Sequence, residues 1–441
     1  MKIVLILPRV GIYKYKSGAF LKFLRYSPLT MITLASLVPK SLNAEIEIYD
    51  EGVEEIKKDS ITADVVGITA ITGASLRAYA YADYFRKKGI KVIMGGVHAT
   101  LNPEEAKKHV DSVVIGHAYE TWPTALLDLH NNRLKDYYYP PKKIDFNYVV
   151  NIDRNFIKKK NFITVNSTQA VFGCPNSCDF CVTPISCKGY HHRPIKDVVN
   201  EISKMSGKYV VFVDPSPIEN VNYAKELCRA LTPLKKKWTG LATTRLVKER
   251  ELMDLMEKSG CKGLLIGFES LSQNSCDNIN KGFNSVADYY TLVKELHKRG
   301  IAINGCFVHG LDSDDKDCFK RTLDFVVKAD IDLPRFTICT PFPGTPFYEK
   351  LKSEGRILTN NWALYNAQHV VFKPKNMTPD ELIEGHHKIW KDAYRTSYIL
   401  KRLLLSRAFP EFAVLANIGY KYYSTQLPLF DEERINMDTV I

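Results

Sequence analysis

The chain has 441 residues, 45% of them hydrophobic and 25% charged, with a formal net charge of +12. Such a length predicts two or three domains with sizeable cores, and the composition excludes a disordered chain. No run of about 18 uncharged apolar residues occurs, so a membrane-spanning helix is not expected and the cytoplasm is the expected compartment.

The opening MKIVLILPRV holds too short an apolar run for a signal peptide and reads as a buried strand. The basic residues are spread out and no nucleic-acid-binding motif is present. An anionic small molecule or lipid surface is therefore the expected charged partner, not nucleic acid. All ten cysteines lie at or beyond Cys174, which argues against a disulfide framework.

Residues 1–125 alternate strand and helix patterns. Strands are predicted at Lys2–Leu7, Glu45–Tyr49, Asp64–Thr69, Lys91–Met94 and Ser112–Ile115, with helices between them. In Ser75–Lys88, for example, Ala78, Tyr81, Ala82 and Phe85 share one helix face. Crossover helices between successive strands predict a doubly wound, flavodoxin-like parallel sheet with its ligand edge at the carboxyl ends of the strands. Those ends are Pro8–Arg9, Asp50–Gly52, Thr69–Gly73, Gly95–Thr100 and Gly116–Glu120.

Residues 126–159 read as an irregular linker, with Tyr137–Tyr139 and Pro140–Pro141. Over residues 160–355 a second alternation begins. Its strands are predicted at Phe162–Val165, Tyr209–Val213, Gly240–Thr243, Gly263–Phe268, Ala302–Val308 and Phe336–Cys339. Six such units form a partial (βα)6 TIM-like barrel, again with its chemistry at the carboxyl ends. Residues 356–441 read as a mainly helical C-terminal domain that would cover the open barrel.

Gly173-Cys174-Pro175-Asn176-Ser177-Cys178-Asp179-Phe180-Cys181 places three thiols at C-x3-C-x2-C. Three thiolates this close grip three corners of a [4Fe–4S] cluster and leave one iron open. The alternatives are zinc, with Cys187 or His191 as a fourth ligand, and a redox dithiol at Cys178–Cys181.

This loop, with an aromatic before its last cysteine, resembles the radical S-adenosylmethionine (SAM) superfamily. The resemblance implies that the open iron binds SAM and that an electron from the cluster cleaves it to methionine and a 5′-deoxyadenosyl radical. It further implies a reductant such as flavodoxin or ferredoxin. Gly267-Phe268-Glu269-Ser270 resembles the family's G-x-E segment, and the resemblance makes Glu269, with Asp214 and Arg245 at neighbouring strand ends, candidate SAM residues. Phe307–Leu311 and Pro341–Pro346 resemble its later glycine and proline–glycine turns.

Ser27–Ala35, Gly95–Thr100, Asn102–Ala106 and Gly116–Glu120 resemble pieces of the cobalamin-binding fold that often precedes such a core. The resemblance makes Thr69, Thr72, Gly95, Gly96, Val97, His98, Gly116 and Glu120 candidate cobalamin residues. Many such domains ligate cobalt through the His of an Asp-x-His-x-x-Gly loop. Here the loop reads Asp50-Glu51-Gly52-Val53-Glu54-Glu55, with Gly52 in the place of the His. Methylcobalamin without a histidine lower ligand is implied, with His98 and His117 as the alternative ligands. An FMN-binding or cofactor-free flavodoxin-like module is the other reading of this domain.

In the tail, Lys388–Arg407 mixes bases with Trp390, Tyr394 and Tyr398. It reads either as a helix packed on the barrel or as peripheral contact with a membrane surface. The resemblance as a whole implies a cobalamin-dependent C-methyltransferase acting on an unactivated carbon of a lipid, isoprenoid, tetrapyrrole or other small metabolite. The rivals are a non-methylating cobalamin-dependent cyclase or ring-rearranging enzyme and, from another class, a non-catalytic cobalamin or iron–sulfur sensor.

Overall fold

The computed structural model describes residues 1–10, 26–141, 152–405 and 410–432, so Arg407 and part of the linker lie outside the described residues. Two six-stranded sheets follow one another along the chain. The first comprises β1 (Lys2–Leu7), β2 (Glu45–Asp50), β3 (Val65–Thr69), β4 (Lys91–Gly95), β5 (Ser112–Val114) and β6 (Tyr137–Tyr138). Every pairing in it is parallel, in the order β2-β1-β3-β4-β5-β6, the doubly wound arrangement expected. The central strand β3 is buried along its whole length, because helices cover both faces of such a sheet. Ala78, Tyr81, Ala82 and Phe85 form the buried face of the helix Ser75–Lys87.

β6 falls in the stretch expected to be irregular. Tyr137 and Tyr138 pair with Val113 and Val114, and the Tyr138 hydroxyl donates to Asp128 at 2.9 Å. Two strand residues are too few to register as alternation.

The second sheet begins with β7 (Ser167–Thr168), and a short antiparallel hairpin follows, β8 (Val171–Gly173) with β9 (Tyr190–His192). Then come β10 (Tyr209–Phe212), β11 (Lys237–Ala242), β12 (Cys261–Glu269), β13 (Ala302–His309) and β14 (Leu333–Ile338). The order β14-β13-β12-β11-β10-β7 is sequential and all parallel, an open partial barrel. The first strand lies two residues beyond the expected Phe162–Val165. That segment packs into the core of the first domain instead, with Val165 buried against it and Ser27 N–H donating to Thr164 O at 3.0 Å.

Burial alternates along β11 and β14, with one face toward the helices and the other toward the barrel interior. On the helix side Phe268, Phe307 and Phe336 stack strand to strand, with ring centroids 5.5 and 6.0 Å apart. Trp390 meets Phe336 edge-on at 5.4 Å and donates its indole N–H to Phe336 O at 3.1 Å. The helix Pro379–Ala393 thus lies on the outer face of β14, packed on the barrel. The apolar outer side of this edge strand needs a cover, and Trp390 and Tyr394 supply it.

Gly96 marks the tightest turn of the first sheet. Its φ is +93, and an added Cβ would lie 2.6 Å from Thr69 Oγ1 and 2.8 Å from Ala70 N. Gly96→Ala should therefore lower N-terminal domain stability by about 2 kcal/mol or more, from overpacking plus a left-handed backbone. Denaturant unfolding followed by tryptophan fluorescence checks this.

Candidate active site

Gly173 ends β8 with φ +74, and a Cβ there would strike the carbonyl of Gly189, so the turn into the cysteine loop requires glycine. Cys174, Cys178 and Cys181 are free and half-buried. The loop is pinned at its middle. Asp179 N–H donates to Ile279 O at 3.1 Å, Asp179 O accepts from Phe347 N–H at 3.0 Å, and Asn280 Nδ2 donates to Asp179 Oδ1 at 2.6 Å. Burial pushes the Cys178 thiol up to about 12, opposed by the Lys281 charge and assisted by Cys181 and Glu269. Three soft thiols on one loop fit a cluster that takes thiolates at three corners. Among the described residues no three His, Cys, Asp or Glu side chains gather around a single ion-sized point.

β12 ends at Glu269, whose φ of +62 is unusual for a residue with a side chain. Its carboxylate pairs with Lys281, and the two side chains are only 9% and 10% exposed. An added Cβ at Gly267 would strike Glu269 Oε1 and lie 2.8 Å from Lys281 Nζ, so this glycine makes room for the pair. Asn284 Nδ2 holds the strand end by donating to Gly267 O at 3.0 Å and Phe268 O at 2.9 Å. The segment Ile279–Asn284 therefore joins the cysteine loop to the end of β12.

Lys281 and Arg245 both lie over the Phe283 ring, at 5.7 and 4.3 Å, which brings Glu269 and Arg245 around one aromatic. Arg245 is paired with Glu219, which also accepts from Thr243 Oγ1 at 2.8 Å. Asp214 is fully buried. It accepts from Ala170 N–H at 2.8 Å and from Val171 N–H, so it braces β8 just ahead of the cysteines. Burial raises its carboxyl to about 7.

On the barrel's inner side, Cys306 is in register with Gly267 and Arg335. Lys281 and Cys306 escape motif reasoning. The one available signal for Lys281 was a lone lysine between Asn280 and Gly282, twelve residues after Glu269.

The carboxyl edge of the first sheet carries the other candidates. Thr69 and Thr72 are buried, and Thr72 Oγ1 has no hydrogen-bond partner among the described residues. Neighbouring Ile71 is 55% exposed, so an apolar side chain and an orphaned hydroxyl share one turn, which fits a large mixed-polarity ligand. Gly95 ends β4, and Val97 and His98 open the short helix Val97–Leu101 after Gly96. Gly116 has φ +69 and donates its N–H to Thr100 Oγ1 at 2.9 Å, and Glu120 sits in the first turn of the helix Ala118–His130.

His98 is fully buried, with Nε2 2.9 Å from Tyr79 OH and 3.4 Å from Glu105 Oε1. In the loop after β2, Glu51 takes a hydrogen bond from Arg9 N–H at 3.0 Å and another from Tyr81 OH at 2.8 Å, and it pairs with Arg77. Arg77 holds the Glu51 carboxylate below its usual range against the opposing effect of burial.

Among the described residues, the contacts between the first sheet's turns and the later chain include a thiol–imidazole approach and an indole–carboxylate bond. Cys187, just past the cysteine loop, has its sulfur 3.0 Å from His117 Nε2 on the turn after β5. Burial, with His191 nearby, lowers His117 to about 4, and burial raises Cys187 to about 11, so both are neutral at pH 7. Trp362, from the segment after the barrel, donates its indole N–H to both oxygens of Glu105, at 2.9 and 3.0 Å. Nearby, Tyr365 O lies 3.1 Å from where a Cβ on Gly73 would stand.

Glu269→Gln should leave Lys281 buried without its counter-charge and destabilise the cofactor-free barrel by about 3–5 kcal/mol. Adding Lys281→Met should recover most of that loss in denaturant unfolding. Equal losses for the single and double variants would mean the pair is not coupled.

The radical SAM superfamily matches residues 169–326, the B12 binding domain residues 39–126, and a domain of unknown function residues 345–409. Bacteriochlorophyllide d C-12(1)-methyltransferase of Chlorobaculum tepidum is 32% identical over 85% of this chain and 84% of its own. The C-8(2)-methyltransferase of the same organism is 31% identical over 90% and 92%. The structure of TsrM, a radical SAM methyltransferase from Kitasatospora setae with cobalamin and a [4Fe–4S] cluster, shares the fold. Its TM-score is 0.70 at 13% identity, covering 98% of this chain and 100% of that one. With a B12-binding domain ahead of a radical SAM barrel and two relatives above 30% identity along most of its length, the chain belongs to the cobalamin-dependent radical SAM methyltransferase family.

Proposed function

We propose that this chain is a C-methyltransferase acting on an unactivated carbon of a tetrapyrrole, an isoprenoid lipid or a similar small metabolite, with electrons from a flavodoxin- or ferredoxin-type donor. The observation that carries this reading is the 3.0 Å approach of Cys187 to His117, because it sets the cysteine loop against the carboxyl edge of the B12-binding domain. When bound, cluster and SAM supply a carbon radical and cobalamin the methyl group. Chemistry of that kind needs the two within one enclosed space.

Within this reading Cys174, Cys178 and Cys181 hold the cluster. Glu269 and Lys281, opposite charges held side by side, complement the ammonium and carboxylate of an amino acid, which is the methionine end of SAM. Phe283 and Arg245 flank that pair. Thr69, Thr72, Gly95, Gly96, Val97, His98, Gly116 and Glu120 are the residues assigned to the cobalamin edge, where Gly96 and Gly116 permit the positive-φ turns at the strand ends. The substrate classes are those named for relatives: the two bacteriochlorophyllide methyltransferases and a hopanoid C-2 methylase from Rhodopseudomonas palustris, 24% identical over 54% of this chain.

After anaerobic reconstitution the protein should hold about four irons on this loop and cleave SAM when reduced. Replacing Cys174, Cys178 and Cys181 by Ala should abolish both. One zinc per chain with no iron uptake would falsify the assignment.

Bound cob(II)alamin should lack a nitrogen lower ligand from the protein. Gly52 offers no imidazole, Glu51 is tied to Arg77 and Tyr81, and His98 is held by Tyr79 and Glu105. With cobalamin's own dimethylbenzimidazole also displaced, its nucleotide tail extended into the sheet near Thr69–Gly73 and Gly95–Thr100, electron paramagnetic resonance should show cobalt lines without a nitrogen triplet. A triplet that disappears in His98→Ala or His117→Ala would identify that histidine as the ligand and overturn this assignment.

A further inference from the structure

The last helices carry an apolar face that nothing described in the chain covers. Leu400 and Leu404, one turn apart on the helix Thr396–Leu405, are 56% and 85% exposed. On the helix Pro410–Glu432, Val414, Leu415 and Ile418 are 37%, 41% and 47% exposed. The opposite sides of both helices rest on one core through Ile399, Leu403, Tyr420, Tyr423 and Leu427, and Lys421 Nζ joins them by donating to Thr396 Oγ1 at 2.7 Å. Both exposed faces therefore turn away from the same body. Scattered surface leucines are ordinary, but five large aliphatic side chains on two adjoining helices form a patch.

The surroundings of the patch select its partner. Lys401 and Lys421 are exposed on these two helices, and Lys388, Lys391 and Arg395 are exposed on the helix Pro379–Ala393 and the turn that precede them. Over residues 388–423 the sequence carries seven Lys and Arg against two acids, Asp392 and Glu411; Asp392 is paired with Arg395 at 2.6 Å, and Lys401 with Asp330 at 2.7 Å. A second copy of this chain would bring the same excess of positive charge to the face and be repelled. An anionic bilayer offers the complement, a negative headgroup layer over an apolar interior.

We propose that Leu400, Leu404, Val414, Leu415 and Ile418 dock this protein on the surface of an anionic lipid bilayer, with the neighbouring lysines on the headgroups. Among the described residues no helix is long and apolar enough to cross a membrane, so the contact is peripheral. The face shares Leu404 and several bases with the Lys388–Arg407 stripe read in the sequence, but Trp390, Tyr394 and Arg402 of that stripe are buried against the barrel, and Val414, Leu415 and Ile418 lie beyond it. The proposal does not rest on the methyl-transfer reading.

The test is co-sedimentation of the full chain with vesicles of phosphatidylcholine alone or mixed equally with phosphatidylglycerol. Binding is expected to the mixed vesicles only and to fall as salt is raised. The Leu400→Ser, Leu404→Ser double variant should weaken it by about tenfold or more while keeping the parent melting temperature. No binding at low salt, equal binding to both vesicles, or undiminished binding by the double variant would overturn the proposal. So would a dimer seen by light scattering that the double variant abolishes and the mixed vesicles fail to displace, which would make the face an interface between copies.

Discussion

Glu269 and Lys281 both lose most of their water on folding, and each is tolerated there because the other is present. Holding them together shapes everything nearby. Gly267 must lack a side chain, Glu269 must take a left-handed backbone, and Asn284 must hold the strand end from below. The stretch carrying Lys281 also carries Asn280, which grips the cysteine loop through Asp179. The ion pair, together with the Asn284 and Asp179 hydrogen bonds, thus ties the end of β12 to the loop of the three thiols.

Parallel sheets gather their turns at one edge, and this chain brings two such edges face to face. Each joining contact is modest by itself, since a hydrogen bond contributes on the order of 1 kcal/mol net. Their placement matters more than their strength. The Cys187–His117 approach lies a few residues past the thiols, and the Trp362–Glu105 bond lies beside His98 and Tyr79. Neutral partners in the first contact avoid stranding a charge between the domains.

Both sheets were legible in the sequence because β-branched runs and amphipathic helices carry strong periods. The exceptions are instructive. Tyr137–Tyr138 is too short to show a period, and the apolar residues of Phe162–Val165 were spent on a neighbouring core and so mimicked a barrel strand. The cysteine loop stood out because its spacing is chemically specific. Lys281 did not, since a lysine's burial depends on a partner that folding alone brings to it. Asp214 and Arg245 sit at the predicted strand ends, yet their nearest partners are backbone amides and Glu219, which no strand-end rule reveals. The tail's charge pattern was visible, but which of its faces would be buried depended on β14 and could not be read from spacing.

The bond between Trp362 and Glu105 joins residues 257 positions apart. At ribosomal elongation rates of about 5–20 residues per second, the indole emerges roughly 10–50 s after the carboxylate it caps. Through that interval Glu105 stands beside His98 and Tyr79 without the indole. The bond that ties the first sheet to the segment after the barrel can form only once nearly all of the second sheet has been made. Docking of the two halves is thus the late step of folding during synthesis.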